Sequence, residues 1–471
     1  MNARIAVLVT LVAAAGCSGP KYVKPETPAP PAFKEAGDWK SAQPNDEAVR
    51  GKWWEVFKDD QLNALEERLD VSNNTLRAAQ AQFDQARALV GYARAAEYPQ
   101  VSGTAFASTN SLSENKPLRS ATAPTSYADY LLRADASYEL DVWGRVRSSV
   151  AVSRSAAQAS AADLESVRLS LHAELAADYI AIRALDAERE ILLSSVAAFE
   201  KALELTRSRY AGGVATALDV AQAEAQLEAT RAQAIDTQAR RAQVEHATAV
   251  LLGEPASTFS VPVMPLTGEP VRVPAGLPAD LLERRPDVAA AERRVAAANA
   301  QIGVARAAFF PTLSLTGAGG LESLALTVLV QGVSGFWSLA PVAAMTIFDG
   351  GRRRSVSDQA KAGYERAVAQ YRDTTLTAFR EVEDQLATLR VLEEEATVQQ
   401  AAVAASERAL ALSTNRYKGG IATYLEVVIS QAAALNNQRT ALNILARRLT
   451  ANVLLIKALG GGWNASALPV F

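Results

Sequence analysis

Few residues in this chain carry the chemistry that catalysis or metal binding needs. It has two histidines, His172 and His246, both inside helical patterns, and a single cysteine, Cys17. A catalytic dyad or metal site needs several such side chains, or acids converging in a cleft, and no such constellation is present. The expectation is no enzyme, no metal and no cofactor. What does recur at a meaningful spacing is a Tyr, a Gly pair, a Thr and an acid. These residues read RYAGGVATALDV from Arg209 to Val220 and RYKGGIATYLEV from Arg416 to Val427. A Gly pair inside a helical pattern stops the helix and turns the chain. Thr216 precedes Asp219, and Thr423 precedes Glu426, at capping-box spacing, in which hydroxyl and carboxylate satisfy orphan N–H groups of a new helix. The chemistry on offer is therefore hydrogen bonding at two helix starts.

The elements around these turns are long. Arg145–Ala211 holds neither Gly nor Pro and would reach about 100 Å as a helix. Val214–Leu252 would run back beside it. The second copy has Arg352–Lys418 and Ile421–Leu459. The copies are in register: Tyr210 and Tyr417, Gly253 and Gly460, and Gly144 and Gly351 are each 207 positions apart. Upstream, Pro99 and Pro311 are 212 apart, so the first copy carries a longer loop between Pro99 and Gly144. A repeat of this length is a duplicated domain rather than a solenoid unit.

Each copy also has a β region. From Tyr127 to Asp141 the chain alternates, with Ala128, Tyr130, Leu132, Ala134, Ala136, Tyr138 and Leu140 on one face. Asp129, Arg133, Asp135, Ser137 and Glu139 lie on the other. That pattern suits a membrane strand with lipid outside and water inside, or a soluble sheet strand. Pro99–Ser108 is its expected partner, and Thr312–Ala318 pairs with Gly335–Phe348 in the second copy. Pro341 predicts an edge, bulge or bend. Tyr98, Trp143, Phe309, Phe310 and Phe348 at one end, and Phe336 and Trp337 at the other, fit interfacial aromatic girdles. Arg352, Arg353 and Arg354 would snorkel there, or be solvated helix-start charges. About four strands cannot close a membrane barrel, which needs about eight, so membrane strands here require an oligomer of two, three or four chains. The long helices read as a tube continuing that barrel or as a soluble coiled coil.

The remaining segments bound the architecture. Residues 1–16 read as a signal peptide ending at Ala14-Ala15-Gly16-Cys17, which resembles a bacterial lipobox with a lipid anchor on Cys17; an ordinary cleaved signal is the alternative. Residues 17–60 form an N-terminal extended segment, Pro-rich from Pro20 to Pro44, expected to lie on another surface. The first repeat covers 61–253, a Pro-studded linker 254–278, the second repeat 279–460 and a tail 461–471. Short helices are expected at Leu62–Leu69 and Thr75–Ala96, and again at Pro278–Leu282 and Pro286–Ala308. The net charge is −3 over 471 residues, which gives no electrostatic case for nucleic acid.

Trp53-Trp54-Glu55-Val56-Phe57 followed by Asp60-Gln61-Leu62, the run LLERRPDVAAAERRVAAANAQIGVARAAFFPTLSLTG from Leu281 to Gly317, PVAAMTIFDGGR from Pro341 to Arg352, and both turn motifs resemble the NodT-type efflux lipoproteins among the TolC-like outer-membrane factors. The resemblance covers essentially the whole mature chain. It implies an α+β membrane duct in the outer membrane: a homotrimer whose twelve-stranded barrel continues into a periplasmic α-helical barrel. It also implies partners, a periplasmic adaptor meeting the tips and an inner-membrane RND transporter supplying the energy. Drugs, solvents or metal ions would pass through passively.

The resemblance further implies a gate. Tyr417 on one hairpin and Asp219 on the other match a hydrogen-bonded pair, and Glu426 matches an acidic constriction position. Tyr210 is the first-copy counterpart of Tyr417. Ala422 stands where some relatives have a gate Arg, and Ile429 where others have a second Asp. Gly213, Val214, Thr216, Gly420, Ile421 and Thr423 are the candidate adaptor contacts. A duct for type I protein secretion is the alternative function, and a trimeric surface adhesin is the reading from another class.

Overall fold

Residues with unbranched side chains lose little freedom in a helix, and the Ala-, Gln-, Arg- and Glu-rich stretches become helices throughout. A computed structural model describes residues 20–27, 29–36, 51–113, 115, 117, 122, 124–270 and 281–471. Cys17, the expected signal peptide and the helix start expected at Pro278 fall outside the described residues. Helices α1 (Asp60–Ser72) and α2 (Asn74–Ala95) lead to strands β1 (Gln100–Ser111) and β2 (Ser126–Glu139). Helices α3 (Arg145–Ala211) and α4 (Ala217–Leu251) form the first long hairpin. After the linker come α5 (Leu281–Arg284), α6 (Pro286–Ala307), β3 (Thr312–Ser323) and β4 (Gly335–Ala344). The second long hairpin is α7 (Arg352–Lys418) and α8 (Tyr424–Ala458). The two hairpins have the same dimensions, since α3 and α7 are each 67 residues and α4 and α8 each 35.

The return helices start three residues later than expected, at Ala217 and Tyr424. Gly213 and Gly420 hold positive φ of 75° and 72°, so the turn continues through Thr216 and Thr423 before helical geometry resumes. β3 is longer than expected because Ser323 still pairs with Tyr130. β4 stops at Ala344, paired with Thr312 at the first residue of β3, and beyond it no neighbouring strand remains to accept a ladder.

The four strands form one antiparallel sheet in the order β1-β2-β3-β4. They are 12, 14, 12 and 10 residues long, enough for a tilted strand to cross a bilayer core. Register sorts their side chains. Val101, Ala105, Leu132, Ala136, Tyr138, Leu315, Leu321, Trp337, Leu339 and Ala343 share one face, while Ser102, Thr104, Arg133, Asp135, Ser314, Thr316 and Ser338 share the other. Pro341 sits in edge strand β4 opposite Leu315, where a missing N–H donor is tolerated. At the helix end of the sheet, Trp143 donates to the Pro311 carbonyl at 2.7 Å and stacks on Phe310, while Arg353 lies over Phe309 and pairs with Asp349 at 2.6 Å. Among the described residues no helix is long and apolar enough to cross a membrane.

Below the sheet, the long helices stand side by side in the order α4–α3–α8–α7, with α2 on α3 and α6 between α3 and α7. Buried alanines allow the close approach of α3 and α6: Ala162 packs with Ala289 and Ala290. The main apolar core joins Trp53, Trp54, α1, α3, α7 and α8. Trp54 stacks on His172, whose ring nitrogens meet Glu66 at 2.6 Å and Asp70 at 3.2 Å. Of the expected N-terminal segment, residues 20–27 and 29–36 run across α6 and α7. Asn299 donates to the Pro20 carbonyl, Tyr22 bonds Glu292, and the Glu383 carboxylate accepts from the Lys34 and Glu35 amides at 2.7 and 2.9 Å. The linker returns along α3, where the Leu266 amide donates to the Arg183 carbonyl at 3.0 Å.

Candidate functional site: the hairpin tips

The tips are built by the two Gly-pair motifs. In the first, the Arg209 carbonyl accepts from the Val214 and Ala215 amides at 2.8 and 3.2 Å, closing the end of α3. Thr216 then caps α4: its hydroxyl accepts from the Asp219 amide at 3.2 Å, and the Asp219 carboxylate accepts from the Thr216 amide at 2.8 Å. This is the reciprocal box expected from the spacing. In the second tip the Arg416 carbonyl accepts from the Ile421 amide at 2.9 Å. The expected second box does not form. Thr423 has extended backbone but makes no side-chain cap, and the Glu426 carboxylate lies 4.0 Å from Arg416 instead. Glu at this position ordinarily closes such a box, but here its carboxylate is turned towards the preceding helix.

Two different substitutions test this asymmetry. Thr216→Ala should cost about 1 kcal/mol of local stability, read as faster amide exchange over residues 217–220. Thr423→Ala should cost distinctly less, because no side-chain bond is lost.

The gate pair implied by resemblance is not bonded within one chain. Tyr417 instead donates to Thr206 Oγ1 at 3.3 Å, and Asp219 is occupied by Thr216. The physical reason is the neighbour that sequence reasoning passed over, Arg209. Its guanidinium lies 4.5 Å over the Tyr417 ring and donates to the carbonyls of Tyr417 and, at 3.4 Å, Lys418. That clamp holds the end of α7 against α3 and keeps Tyr417 buried. Tyr424 packs edge-on to Tyr417 at 5.3 Å. Burial, with Tyr417 and Asp219 adding to it, pushes the Tyr424 hydroxyl up to about 12, so it stays neutral. The signal for Tyr424 was its place seven residues after Tyr417, across the turn. Tyr210, the counterpart of Tyr417, is by contrast 52% exposed.

Gly213, Val214, Thr216, Gly420, Ile421 and Thr423 all reach the surface at the tips. Val214 is 69% and Ile421 75% exposed, with Leu218, Leu425 and Ile429 exposed beside them. Above them, Phe199, Leu410, Gln431, Leu435 and Gln438 line a groove of ≈ 390 Å³ between α3, α7 and α8. Among the described residues no group of three or more His, Cys, Asp or Glu side chains is arranged to hold a metal ion.

A two-faced sheet with open edges, carried on helices about 100 Å long that end in uncovered turns, defines a membrane conduit component. The sequence model of the outer membrane efflux protein family matches residues 65–254 and again 277–461, and the chain belongs to that family. It is 34% identical over 462 residues to the toluene efflux pump outer membrane protein TtgC of Pseudomonas putida, covering 98% of this chain and 95% of that protein. It is equally 34% identical over 469 residues to the outer membrane protein OprJ of Pseudomonas aeruginosa, covering 98% and 95%. The solved outer-membrane channel OprN superposes with a TM-score of 0.88 at 29% identity, over 94% of this chain and 99% of that one. The CmeC outer membrane channel of Campylobacter jejuni gives 0.88 at 25% identity, over 96% of each. This protein is thus an outer-membrane efflux channel component, a passive duct and not an enzyme.

Proposed function

We propose that three copies of this chain close a twelve-stranded barrel in the outer membrane and a twelve-helix tube below it. The observation that carries this reading is the sheet. Its edge strands β1 and β4 each have one unpaired side, and an open edge cannot face lipid. Three copies pair every edge, and the face with Arg133, Asp135 and Thr316 lines water. The equal helix lengths and the repeated family match support an internally duplicated protomer. The tube ends at the tips, where a periplasmic adaptor docks and connects it to an inner-membrane RND transporter. The cargo is small toxic molecules. Relatives described as toluene, solvent and antibiotic efflux components support an apolar class. A lipid on Cys17 adds a second anchor.

The purified protein should have three times the chain mass, and deletion of its gene should sensitise cells to small apolar toxicants. A monomeric mass, or unchanged sensitivity with loss of a secreted protein, overturns the reading. Cys17→Ser should abolish labelling by an alkynyl fatty acid while the barrel keeps the protein in outer-membrane fractions.

A further inference from the structure

Arg209 and Arg416 occupy equivalent positions in the two tip motifs, 207 residues apart, but only one of them is engaged. Arg209 covers the Tyr417 ring and holds the carbonyls at the end of α7, and Tyr417 is 5% exposed. Arg416 has, among the described residues, one ionic partner, Glu426 at 4.0 Å, and its side chain is 57% exposed. The ring that would be its equivalent target, Tyr210, is 52% exposed. One chain therefore carries one complete clamp and both halves of a second one, unjoined.

The helix order says where the second clamp closes. Within the chain α3 packs on α8, and α4 and α7 are the outer helices. The 207-residue offset relates α3 to α7 and α4 to α8. The counterpart of the α3–α8 seam is then α7 of one copy against α4 of the next, and the counterpart of Arg209 reaching α7 is Arg416 reaching the neighbour's α3. Apolar residues agree. Val398 and Leu412 on α7 are 71% and 64% exposed, whereas their counterparts Ile191 and Leu205 pack against the buried core of the inner seam. On the facing helix Ile235 is 66% exposed, whereas its counterpart Leu442 is half-buried. An outer seam between copies would cover all three.

We propose that Arg416 forms the inter-protomer clamp: its guanidinium lies over Tyr210 of the neighbouring copy and donates to the carbonyls of that copy's Tyr210 and Ala211. The occupant of the outer face of α7 is a second copy of this chain. The tube mouth is then held by two kinds of clamp, one inside each protomer and one between protomers, both made by an arginine of the same motif. The inter-protomer clamp crosses the seam between separate chains. Opening of the mouth by separation of protomers would break it and leave the Arg209 clamp intact. This inference rests on the homotrimer reading, and the test separates the two.

Two full-length variants with different affinity tags, Asn415→Cys and Ala211→Cys, are co-expressed and treated with a short bismaleimide. Both arginines remain in place. Ser208→Cys/Lys418→Cys in one chain is the equivalent pair on the inner seam and calibrates reactivity. The expected result is a covalent dimer bearing both tags, absent when either variant is expressed alone. Adding Arg416→Ala should reduce that product and raise the single-channel conductance in planar bilayers above that of the parent, whereas Arg416→Lys should stay close to the parent in both. Light scattering reports the assembly. An assembly of three with a reactive inner pair but no two-tag dimer overturns the clamp and leaves the duct standing. The same holds if Arg416→Ala changes neither crosslinking nor conductance. A monomer overturns both.

Discussion

Gly460→Ala should cost the folded chain about 2–5 kcal/mol, the sum of a left-handed backbone penalty and a forced backbone shift. Gly460 has φ +92°, and a Cβ there would stand 2.1 Å from the Arg284 carbonyl oxygen and 2.8 Å from its carbon. Neither atom belongs to a flexible side chain, so the end of α8 and the short helix α5 must move apart. Gly253 repeats the arrangement with φ +66° and the Ser72 carbonyl oxygen at 2.5 Å. The Leu-Gly pairs of the two copies thus mark the points where each long hairpin comes back against the short helix that begins its copy. Gly213 is the control. It has φ +75° but nothing within 4 Å of an added Cβ, so Gly213→Ala should cost only the left-handed penalty, about 1–2 kcal/mol. Thermal unfolding midpoints of the purified proteins read both. Equal, small shifts for Gly460→Ala and Gly213→Ala would mean that the close approach is without consequence.

His172→Ala should be the other severe substitution, destabilising by about 3–5 kcal/mol, because it strands a buried acid and empties the space against Trp54. Glu66 is fully buried, and His172 is its partner at 2.6 Å. Burial pushes the Glu66 carboxyl up to about 7, although the histidine pulls it back down. Folded protein therefore holds a proton on Glu66 at pH values where the unfolded chain has released it. The resulting stabilisation is fully present below about pH 4.5 and is lost as pH rises through about 7, a total of at most about 3 kcal/mol. Without His172 the carboxyl loses the partner that favours its charged form, and its proton is held to still higher pH. The deficit of His172→Ala relative to the parent should therefore grow between pH 5 and pH 8. Denaturant unfolding at the two pH values measures it, and a deficit that shrinks with rising pH contradicts the burial argument.

Both predictions concern the girdle where α1 and α5 meet the long helices. The tips behave differently. Their packing is thin, their turns are exposed, and their stability rests on the Thr216–Asp219 box, the Arg209 clamp and the Tyr417–Tyr424 contact. A duct that opens at this end needs contacts that can be exchanged without disturbing the girdle.

Much of this was present in the chain itself. The absence of Gly and Pro determined α3 to the residue, since nothing between Arg145 and Ala211 can break a helix. Alternation along residues 127–139 determined the two faces of the sheet, because side-chain direction in a strand has period 2. The 207-residue offset predicted the matched hairpins, and the Thr–Asp spacing predicted the first cap. These are local properties, decided by residues within a few positions of one another. Tertiary structure decided the rest. That Glu426 abandons its cap for Arg416, that Tyr417 turns to Thr206 rather than Asp219, and that Glu66, Asp70 and His172 converge under Trp54 all depend on helices brought together from distant parts of the sequence. Arg209 and Arg416 are the same residue in the same motif. Only the packing of α3 against α8, with α7 left on the outside, makes one of them a half-buried clamp and leaves the other at the surface.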